Sequence, residues 1–318
     1  MTKKRVLGIL LEKNNWNASY PLETQEQSKA YCQFALIAKK EFDIEIVLLP
    51  LSQYKKGTFS NGWVEKNGHW VKKKVLPKVQ VILDKTSFLY NKIPVKQEID
   101  LHHIVVNPWE LDLIASDKLF TNTVFAHITP ATFKIESHQD IHQHLPLIPT
   151  KKIVIKPRLG YGGKGIQIIN KGETHKISSA EFSILQPFVD SSNGIKGLAE
   201  SIHDLRIIFA GERVIASYIR TPQPNSLICN IGQHGKARFL TNAQIPKQLR
   251  EPIRYIQKTF AHFPYKLYTA DFFFQKQKPL LIEINTRPPV YFERYPAYEK
   301  KLQKLYLQYL ATFFKRAQ

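Results

Sequence analysis

Residues 153–169 read IVIKPRLGYGGKGIQII, and their pattern predicts two strands joined by a glycine-rich loop in the middle of the chain. Two apolar runs, 153–157 and 166–169, flank a loop that holds four glycines within residues 160–165. Glycines let backbone amides approach phosphate oxygens closely, and a loop between two strands can close as a lid. Walker and Rossmann loops lead into a helix, so this loop belongs to neither motif. An ordinary glycine turn is the alternative, although a turn needs fewer glycines.

The sequence before this stretch alternates between strand and helix patterns. Apolar runs predict strands at 6–11, 44–49, 79–83 and 104–106, and helical spacing predicts a helix over 25–40. This alternation indicates a small parallel sheet with crossover helices over residues 1–107, interrupted by a polar hairpin at 55–74.

The sequence after Pro108 has a different organisation, dominated by hairpins. We expect helical segments to about residue 127, strands within 151–190, and two hairpins over 204–220 and 268–285. Helices are predicted over 247–262 and 300–315. The fold class is therefore α/β combined with α+β. The predicted domains are an N-terminal α/β domain, a lid lobe and a C-terminal catalytic lobe, over residues 1–107, 108–187 and 188–318.

Carboxylate and amide oxygens converge on the last predicted hairpin. Glu283 and Asn285 are two residues apart on one strand, so their side chains point to the same face. Asp271 lies on the partner strand, within plausible cross-strand reach. Hard oxygen ligands of this kind suit Mg²⁺ or Mn²⁺, with ATP phosphates completing the octahedron. A solvent-facing polar edge explains these residues less well, because both strands are otherwise apolar.

Two arginines bracket the other hairpin and suit a phosphate or a carboxylate. A two-residue turn at Gly211-Glu212 pairs Arg206 with Ser217, which puts Arg206 and Arg220 on opposite faces. A three-residue turn or a β-bulge would instead put both arginines on one face. Both registers remain open at this point, and Arg220 is the expected catalytic residue if the two arginines are separated.

The composition constrains the partners of the protein. The 318 residues carry a formal net charge of +20, which favours an acidic substrate, but no RNA-binding signature, zinc finger or Arg-rich arm argues for nucleic acid. The isolated Cys32 and Cys229 indicate a reducing, cytoplasmic location. No stretch approaches the ~20 apolar residues of a membrane span. The oligomeric state is not defined by the sequence.

Histidines suggest a second kind of metal site that the sequence supports poorly. His138, His142 and His144 have spacing that could place two rings on one helix face. No cysteine or acid completes a tetrahedral set, so a solvated segment is the better interpretation. The absence of a GxSxG elbow also argues against a hydrolase triad.

Taken together, these segments resemble the ATP-grasp superfamily over roughly residues 105–290, in particular the group of glutathione synthetase and the ribosomal-protein glutamate ligases. The chain is also similar to spore-coat-associated ATP-grasp proteins. The segment after Asn285, Thr286-Arg287-Pro288-Pro289, departs from the small residues expected of a glutathione synthetase.

The resemblance implies a role for each segment. Lys118 and Lys156 resemble the two ATP lysines, and residues 160–165 resemble the lid loop. The D-x-R motif at Asp204 and Arg206 resembles the hairpin that, with Arg220, faces the transferred phosphate. Asn230-Ile231-Gly232 resembles the segment that follows it, while Asp190 and Glu200 are both candidates for the ribose ligand. Further expected nucleotide contacts are Gly162, Gly163, Lys164 and Gly165 in the loop, and Gln186, Pro187, Phe188 and Val189 at the adenine hinge.

The resemblance also implies a reaction. We expect ATP and Mg²⁺ or Mn²⁺ as cofactors, with Asp271, Glu283 and Asn285 as the metal ligands. The expected activity is ligation of a carboxylate to an amine or thiol through an acyl phosphate, with small-molecule or peptide substrates, some of them acidic. Arg287 and Arg294 follow the metal strand and are candidate carboxylate ligands, or else surface residues. Two alternatives remain: an ATP-grasp kinase that phosphorylates a hydroxyl, and a nucleotide-binding coat protein.

Overall fold

The computed structural model describes residues 4–13, 15–229, 235–292 and 294–315. The chain forms two compact units. The first unit contains Met1–Trp109, Pro264–Leu267 and Arg287–Gln318, and the second contains Glu110–Phe263 and Tyr268–Thr286. The boundary between a lid lobe and a catalytic lobe at residues 187 and 188 stays a prediction.

The first unit is built on a six-stranded sheet with the strand order β6-β5-β2-β1-β7-β8. Its four parallel strands are nearly continuous apolar runs, as expected for strands covered on both faces; they are β1 (Arg5–Leu11), β2 (Ile44–Pro50), β7 (Val81–Asp84) and β8 (Ile104–Val106). The four predicted strands therefore form the parallel part of this sheet.

The polar hairpin is part of this sheet rather than a separate insertion. Strand β5 (Gly62–Lys66) pairs antiparallel with β2, and β6 (His69–Lys73) forms the outer edge, which makes the sheet mixed. Before β5, the chain forms a separate pair of short antiparallel strands, β3 (Tyr54–Lys55) and β4 (Thr58–Phe59). Lysines on an outer strand discourage pairing with another chain.

Three α-helices lie in the described part of the first unit. They are α1 (Gln25–Phe42), α2 (Ile93–His102) and, near the C-terminus, α7 (Pro296–Ala311). Thr24 caps α1 by accepting a hydrogen bond from the Gln27 amide, and Asp43 ends the helix in a left-handed conformation. Helix α7 packs on α1, where the buried Gln303 amide donates to the Ala30 carbonyl at 3.3 Å.

The second unit contains a four-stranded sheet in the order β11-β10-β12-β9. Its pairs are antiparallel, and its strands are β9 (Phe133–Ile135), β10 (Lys152–Pro157), β11 (Gln167–Asn170) and β12 (Ser183–Pro187). The last three of these strands are predicted by the sequence pattern, whereas β9 is not, because it is too short to show a periodic pattern.

Helix α5 (His138–His144) packs on the four-stranded sheet through Ile141. Ser137 and Asp140 form a capping box at its start, and the His144 ring stacks on Phe133 with centroids 4.8 Å apart. Within the described residues, no group of three or more His, Cys, Asp or Glu side chains could hold a metal ion, these histidines included.

A five-stranded sheet in the order β15-β14-β13-β16-β17 forms the rest of the second unit. The strands are β13 (Asp204–Ala210), β14 (Arg213–Thr221), β15 (Lys236–Leu240), β16 (Leu267–Gln275) and β17 (Lys278–Asn285). The helices are α3 (Trp109–Ser116), α4 (Lys118–Val124) and α6 (Arg250–Thr259). The core of this unit includes Phe209 stacked on Tyr268, with centroids 4.7 Å apart. None of the described helices is long and apolar enough to cross a membrane.

Candidate functional site

The glycine loop connects β10 to β11, as predicted. Its four glycines all have positive φ, which L side chains rarely adopt; the φ values are +118° at Gly160, +74° at Gly162, +75° at Gly163 and +73° at Gly165. A Cβ atom on Gly165 would lie 2.8 Å from Cγ of Pro157, so this position also lacks room for a side chain. Lys164 is exposed within the loop. The loop therefore needs glycine for its path, beyond the needs of a simple turn.

A buried ion pair fixes the base of this loop to the start of α4. Asp117 is fully buried and caps α4 by accepting a hydrogen bond from the Leu119 amide at 2.8 Å. The same carboxylate accepts a hydrogen bond from Nη2 of Arg158 at 2.6 Å, and the Lys118 amide donates to the Arg158 carbonyl at 2.9 Å. The Arg158 guanidinium also lies 4.4 Å from the centre of the Phe182 ring. Neither member of this ion pair was predicted from the sequence, in which only the neighbouring Lys118 was a candidate.

Two lysine ammonium groups lie buried beside this loop. Lys118 Nζ donates to the Gly160 carbonyl at 2.9 Å and lies 3.9 Å from a Glu283 carboxylate oxygen. Lys156 is 8% exposed, and its ammonium has no hydrogen bond or ion pair among the residues that the structure describes. Burial lowers the pKa of Lys156 to about 8, with Glu283 opposing the shift and Lys118 adding to it. Two cations with one carboxylate leave a positive site that suits an anion.

A β-bulge decides the register of the arginine hairpin. The strands pair Ala210 with Arg213 across a two-residue turn, but the register shifts between Ile208 and Phe209, which leaves Ile215 as the extra residue. Asp204 therefore pairs with Arg220, and Arg206 pairs with Tyr218. Of the two registers left open by the sequence, the bulged one is correct, and both arginines lie on the same face.

The two arginines share two buried carboxylates. Arg220 donates to both Asp204 oxygens, at 2.6 and 2.7 Å, and to Asp271 Oδ2 at 2.8 Å. Arg206 donates to the two Asp271 oxygens, each at 2.6 Å. Each arginine thus binds one carboxylate through two hydrogen bonds, the bidentate arrangement of strong charge-assisted pairs. The network gives each of the four charged side chains at least one oppositely charged partner.

The two carboxylates of this network differ in pKa. Burial raises the pKa of Asp204 to about 6, and the Asp271 charge adds to this effect, although Arg220 opposes it. Burial acts in the same direction on Asp271, but Arg206 and Arg220 outweigh it and hold its pKa below the ordinary value. Of the two carboxylates, Asp271 therefore stays ionised to the lower pH.

The three predicted metal ligands lie on the last two strands. Asp271 pairs with Glu283 across the hairpin, and Asn285 pairs with Thr269. Glu283 and Asn285 are half-buried and point to one face, whereas Asp271 is buried in the arginine network. Asp271 Oδ1 accepts one of the three hydrogen bonds and Oδ2 accepts two, which leaves one lone pair on Oδ1. This set of oxygens fits a hard cation whose remaining ligands are phosphate oxygens and water.

The predicted adenine hinge is located at the end of β12. The buried Gln186 side chain donates to Asn122 Oδ1 at 3.0 Å and to Thr132 Oγ1 at 2.8 Å, so both its N–H groups are used within this unit. The Phe188 amide donates to the Lys152 carbonyl at 3.2 Å. These contacts leave the Gln186 side chain no free donor for a base.

The family of the chain follows from a comparison of its sequence with family models. Residues 115–289, more than half of the chain, match the model of an ATP-grasp domain. The chain belongs to the ATP-grasp family. No curated protein matches its sequence.

Solved structures with the same fold extend over nearly the whole chain. A D-cycloserine synthetase is 14% identical, with a TM-score of 0.63, and the match covers 98% of this chain and 100% of that one. A D-alanine–D-alanine ligase from Bacillus anthracis complexed with ATP is 12% identical, with a TM-score of 0.61 and coverage of 99% and 100%. A macrocyclase from Microcystis aeruginosa, bound with its precursor peptide, is 11% identical, with a TM-score of 0.58 and coverage of 94% and 98%. Identities this low show a shared ATP-grasp fold.

Some predicted nucleotide contacts of the ATP-grasp domain stay predictions. Asp190 Oδ1 accepts a hydrogen bond from the Ser192 amide at 2.9 Å, and Glu200 is exposed, so the ribose ligand is not decided between them. Residue 230, which begins the predicted Asn230-Ile231-Gly232 segment, and the two residues after it lie outside the described residues. Asn122 and Thr132, which hold Gln186, had no recognisable signal in the sequence.

Proposed function

We propose that this ATP-grasp protein is an ATP-dependent ligase that joins a carboxylate to an amine or thiol through an acyl phosphate. The observation that carries the proposal is the uncompensated Lys156 ammonium, which lies in one unit with the glycine loop and the carboxylates of β16 and β17. An anion is needed there to offset the buried charge. The triphosphate of ATP supplies several negative charges, and its oxygens would also be partners for the backbone amides of the glycine loop.

We propose separate roles for the residues around the nucleotide. Lys118 and Lys156 would hold the phosphates, while Glu283, Asn285 and Asp271 would hold Mg²⁺ or Mn²⁺. When bound, such a cation neutralises the charge that develops on the phosphate oxygens. The backbone amides of the glycine loop would cover the phosphates and keep water away from the reactive acyl group.

Arg220 and Arg206 are the proposed catalytic arginines. A carboxylate oxygen of the substrate attacks the γ-phosphorus of ATP, the bond to ADP breaks, and an acyl phosphate forms. An amine then attacks the acyl carbon, phosphate leaves, and the amine loses a proton to give the amide. Arg220, held rigidly by Asp204, would orient the transferred phosphoryl group with a preorganised charge.

The remaining proposals concern the base and the cellular location. Residues 186–189 would contact adenine through backbone groups, since the Gln186 side-chain donors are already used. The substrates would be an amino acid, a peptide or a protein carboxylate. A cytoplasmic location would supply ATP, and the two buried cysteines are free there.

Trapping with hydroxylamine tests the proposed reaction. The protein is incubated with Mg-ATP and a panel of amino acids, dipeptides and acidic peptides, and ADP, phosphate and hydroxamate are measured. We expect hydroxamate to form with one carboxylate class, because hydroxylamine intercepts an acyl phosphate. ADP release that depends on a hydroxyl compound, without hydroxamate, would instead establish a kinase. ATP binding without turnover on any member of the panel would favour the coat-protein alternative.

ATP affinity is expected to depend on the protonation of Lys156. Because its pKa is lowered to about 8, Lys156 is charged below that pH and becomes neutral above it. We expect ATP binding to weaken by about tenfold as the pH rises from 7 to 9.5, the size of one charge-assisted hydrogen bond. Calorimetry with a non-hydrolysable ATP analogue measures the dissociation constant at each pH.

The Lys156→Met variant is the control for this dependence. We expect it to bind the analogue weakly at pH 7 and to show a flatter pH profile than the wild type. Lys164→Met removes an exposed lysine of the same loop and should keep the wild-type profile. An unchanged profile in Lys156→Met would show that another group controls the binding of the phosphates.

A further inference from the structure

The sheet of the first unit has a topological switch point between β1 and β7. Strand β2, which follows β1, lies on one side of it, whereas β7 and then β8 lie on the other. Connections that leave in opposite directions open a crevice at the carboxyl ends of the two central strands, where open α/β sheets bind ligands. The residues at these ends are Glu12 after β1, and Lys85 and Thr86 after β7.

Lys85 is a half-buried cation at this crevice with little compensation. Its ammonium donates to the Pro288 carbonyl at 2.6 Å and forms no ion pair among the described residues. Burial and the nearby Arg287 lower the pKa of Lys85 to about 7, although Asp84 opposes the shift. Arg287 lies against the same turn, since its Nε donates to the Thr86 carbonyl. Two cations therefore share one small region of the first unit.

The two acids of the crevice already have partners. Asp84 forms a buried ion pair with Lys96 and accepts hydrogen bonds from the Thr86 amide and hydroxyl, each at 2.7 Å. Glu12 forms an ion pair with Lys92 and accepts from the Ser87 amide and hydroxyl, at 3.1 and 2.9 Å. Neither acid lies within ion-pair distance of Lys85 in the described structure.

Lys96 shows how this fold stabilises a lysine that has only a structural role. It lies in the same unit, is 3% exposed and has the Asp84 carboxylate as its direct partner. The hydrogen-bond partner of the Lys85 ammonium is instead the backbone carbonyl of Pro288. The Lys85 ammonium makes one hydrogen bond among the described residues and has two further donors. An anionic ligand would satisfy them and supply the missing charge.

We propose that Lys85, together with Arg287, binds the carboxylate of a substrate in the crevice between β1 and β7. The inference rests on the proposed ligase function for the identity of the ligand, because that reaction requires a carboxylate substrate. A carboxylate matches the site, since its two oxygens accept hydrogen bonds from an ammonium and a guanidinium at once. The site would therefore contribute to the choice of substrate, separately from the binding of ATP.

The variants Lys85→Met and Lys96→Met test the site as a matched pair. We expect Lys85→Met to melt at or above the wild-type temperature, because it removes a half-buried charge that has no carboxylate within ion-pair distance. Lys96→Met should melt lower, since it leaves Asp84 buried and unpaired. A fall in the Lys85→Met melting temperature as large as that of Lys96→Met would show a structural role and overturn the proposal.

Substrate binding is measured in the same variants. In steady-state kinetics, we expect Lys85→Met to raise the KM of the carboxylate substrate roughly 10- to 100-fold, with the dissociation constant of ATP unchanged. Arg287→Lys, which keeps the charge but loses the planar fork, should show a smaller rise. An unchanged carboxylate KM in Lys85→Met would overturn the inference and leave the ligase proposal intact.

Thermal shifts with small carboxylates test the site without any turnover. Acetate, succinate, alanine and glutamate are added at matched ionic strength, with sodium chloride as the reference. We expect at least one of them to raise the melting temperature of the wild type but not that of Lys85→Met, since a ligand stabilises the state that binds it. Equal shifts in both proteins would overturn the site even if the protein proves not to be a ligase.

Discussion

The Glu283→Gln variant is expected to lose about 10³-fold in ATP turnover while its melting temperature stays close to that of the wild type. The Glu283 side chain is 24% exposed, and its one ion-pair partner in the described structure is Lys118 at 3.9 Å. Its removal therefore disturbs little packing. The proposed cation would lose a charged ligand, and about 4 kcal/mol of lost transition-state stabilisation corresponds to this factor. Initial rates of ADP release and thermal melting measure the two effects.

The control for this variant is Glu251→Gln, which neutralises an exposed acid of the same unit. Glu251 is 78% exposed and pairs with Arg254 at 3.1 Å, so its loss should alter neither turnover nor melting. Excess Mn²⁺ should restore part of the activity of Glu283→Gln if the defect lies in metal binding. Near-normal turnover in Glu283→Gln at low Mg²⁺ would contradict the assignment of Glu283 as a metal ligand.

The Asp271→Asn variant is expected to be both inactive and unstable, with about 3–5 kcal/mol less free energy of unfolding. Asp271 is 4% exposed in its side chain and accepts three hydrogen bonds from Arg206 and Arg220. The substitution leaves Arg206 and Arg220 with Asp204 as their remaining acid in this network. Urea denaturation at pH 7 measures the free energy, and the same samples give the rate of ADP release.

A double variant separates the effect of the missing Asp271 charge on stability from the effect of altered packing around it. Adding Arg206→Met to Asp271→Asn restores one acid for one arginine, so we expect part of the lost stability to return. Activity should stay absent, because the proposed metal ligand is still missing. If the double variant is less stable than either single variant, the contribution of these residues is packing rather than the balance of charges.

The sequence predicted the strands and the loop of the site because each of them has a local signal. Glycine spacing identifies the loop at residues 160–165, and the i, i+2 spacing of Glu283 and Asn285 places both on one face. The parallel strands of the first unit could be recognised from their apolar runs. The matching family model over residues 115–289 confirms the resemblance that these signals carried.

Other features depend on contacts between segments that are distant in sequence. The bulge at Ile215 has no glycine or other local marker, so the sequence left two registers open for Arg206 and Arg220. Arg158 reaches Asp117 across 41 residues, and Gln186 reaches Asn122 across 64. One sequence gives no means of pairing such residues. The strand β9 was missed because three residues are too few for a periodic pattern.

The order in which the chain builds its two units has a consequence for folding during synthesis. The first unit consists of three separate segments: one ends at Trp109, the second is Pro264–Leu267, and the third begins at Arg287. The second unit is therefore complete while α7, which packs on α1, has not yet left the ribosome. Domains generally fold as units as the chain emerges, so the second unit has all its segments before the first unit receives α7. The face of α1 that α7 covers therefore stays uncovered until the last helix has been made.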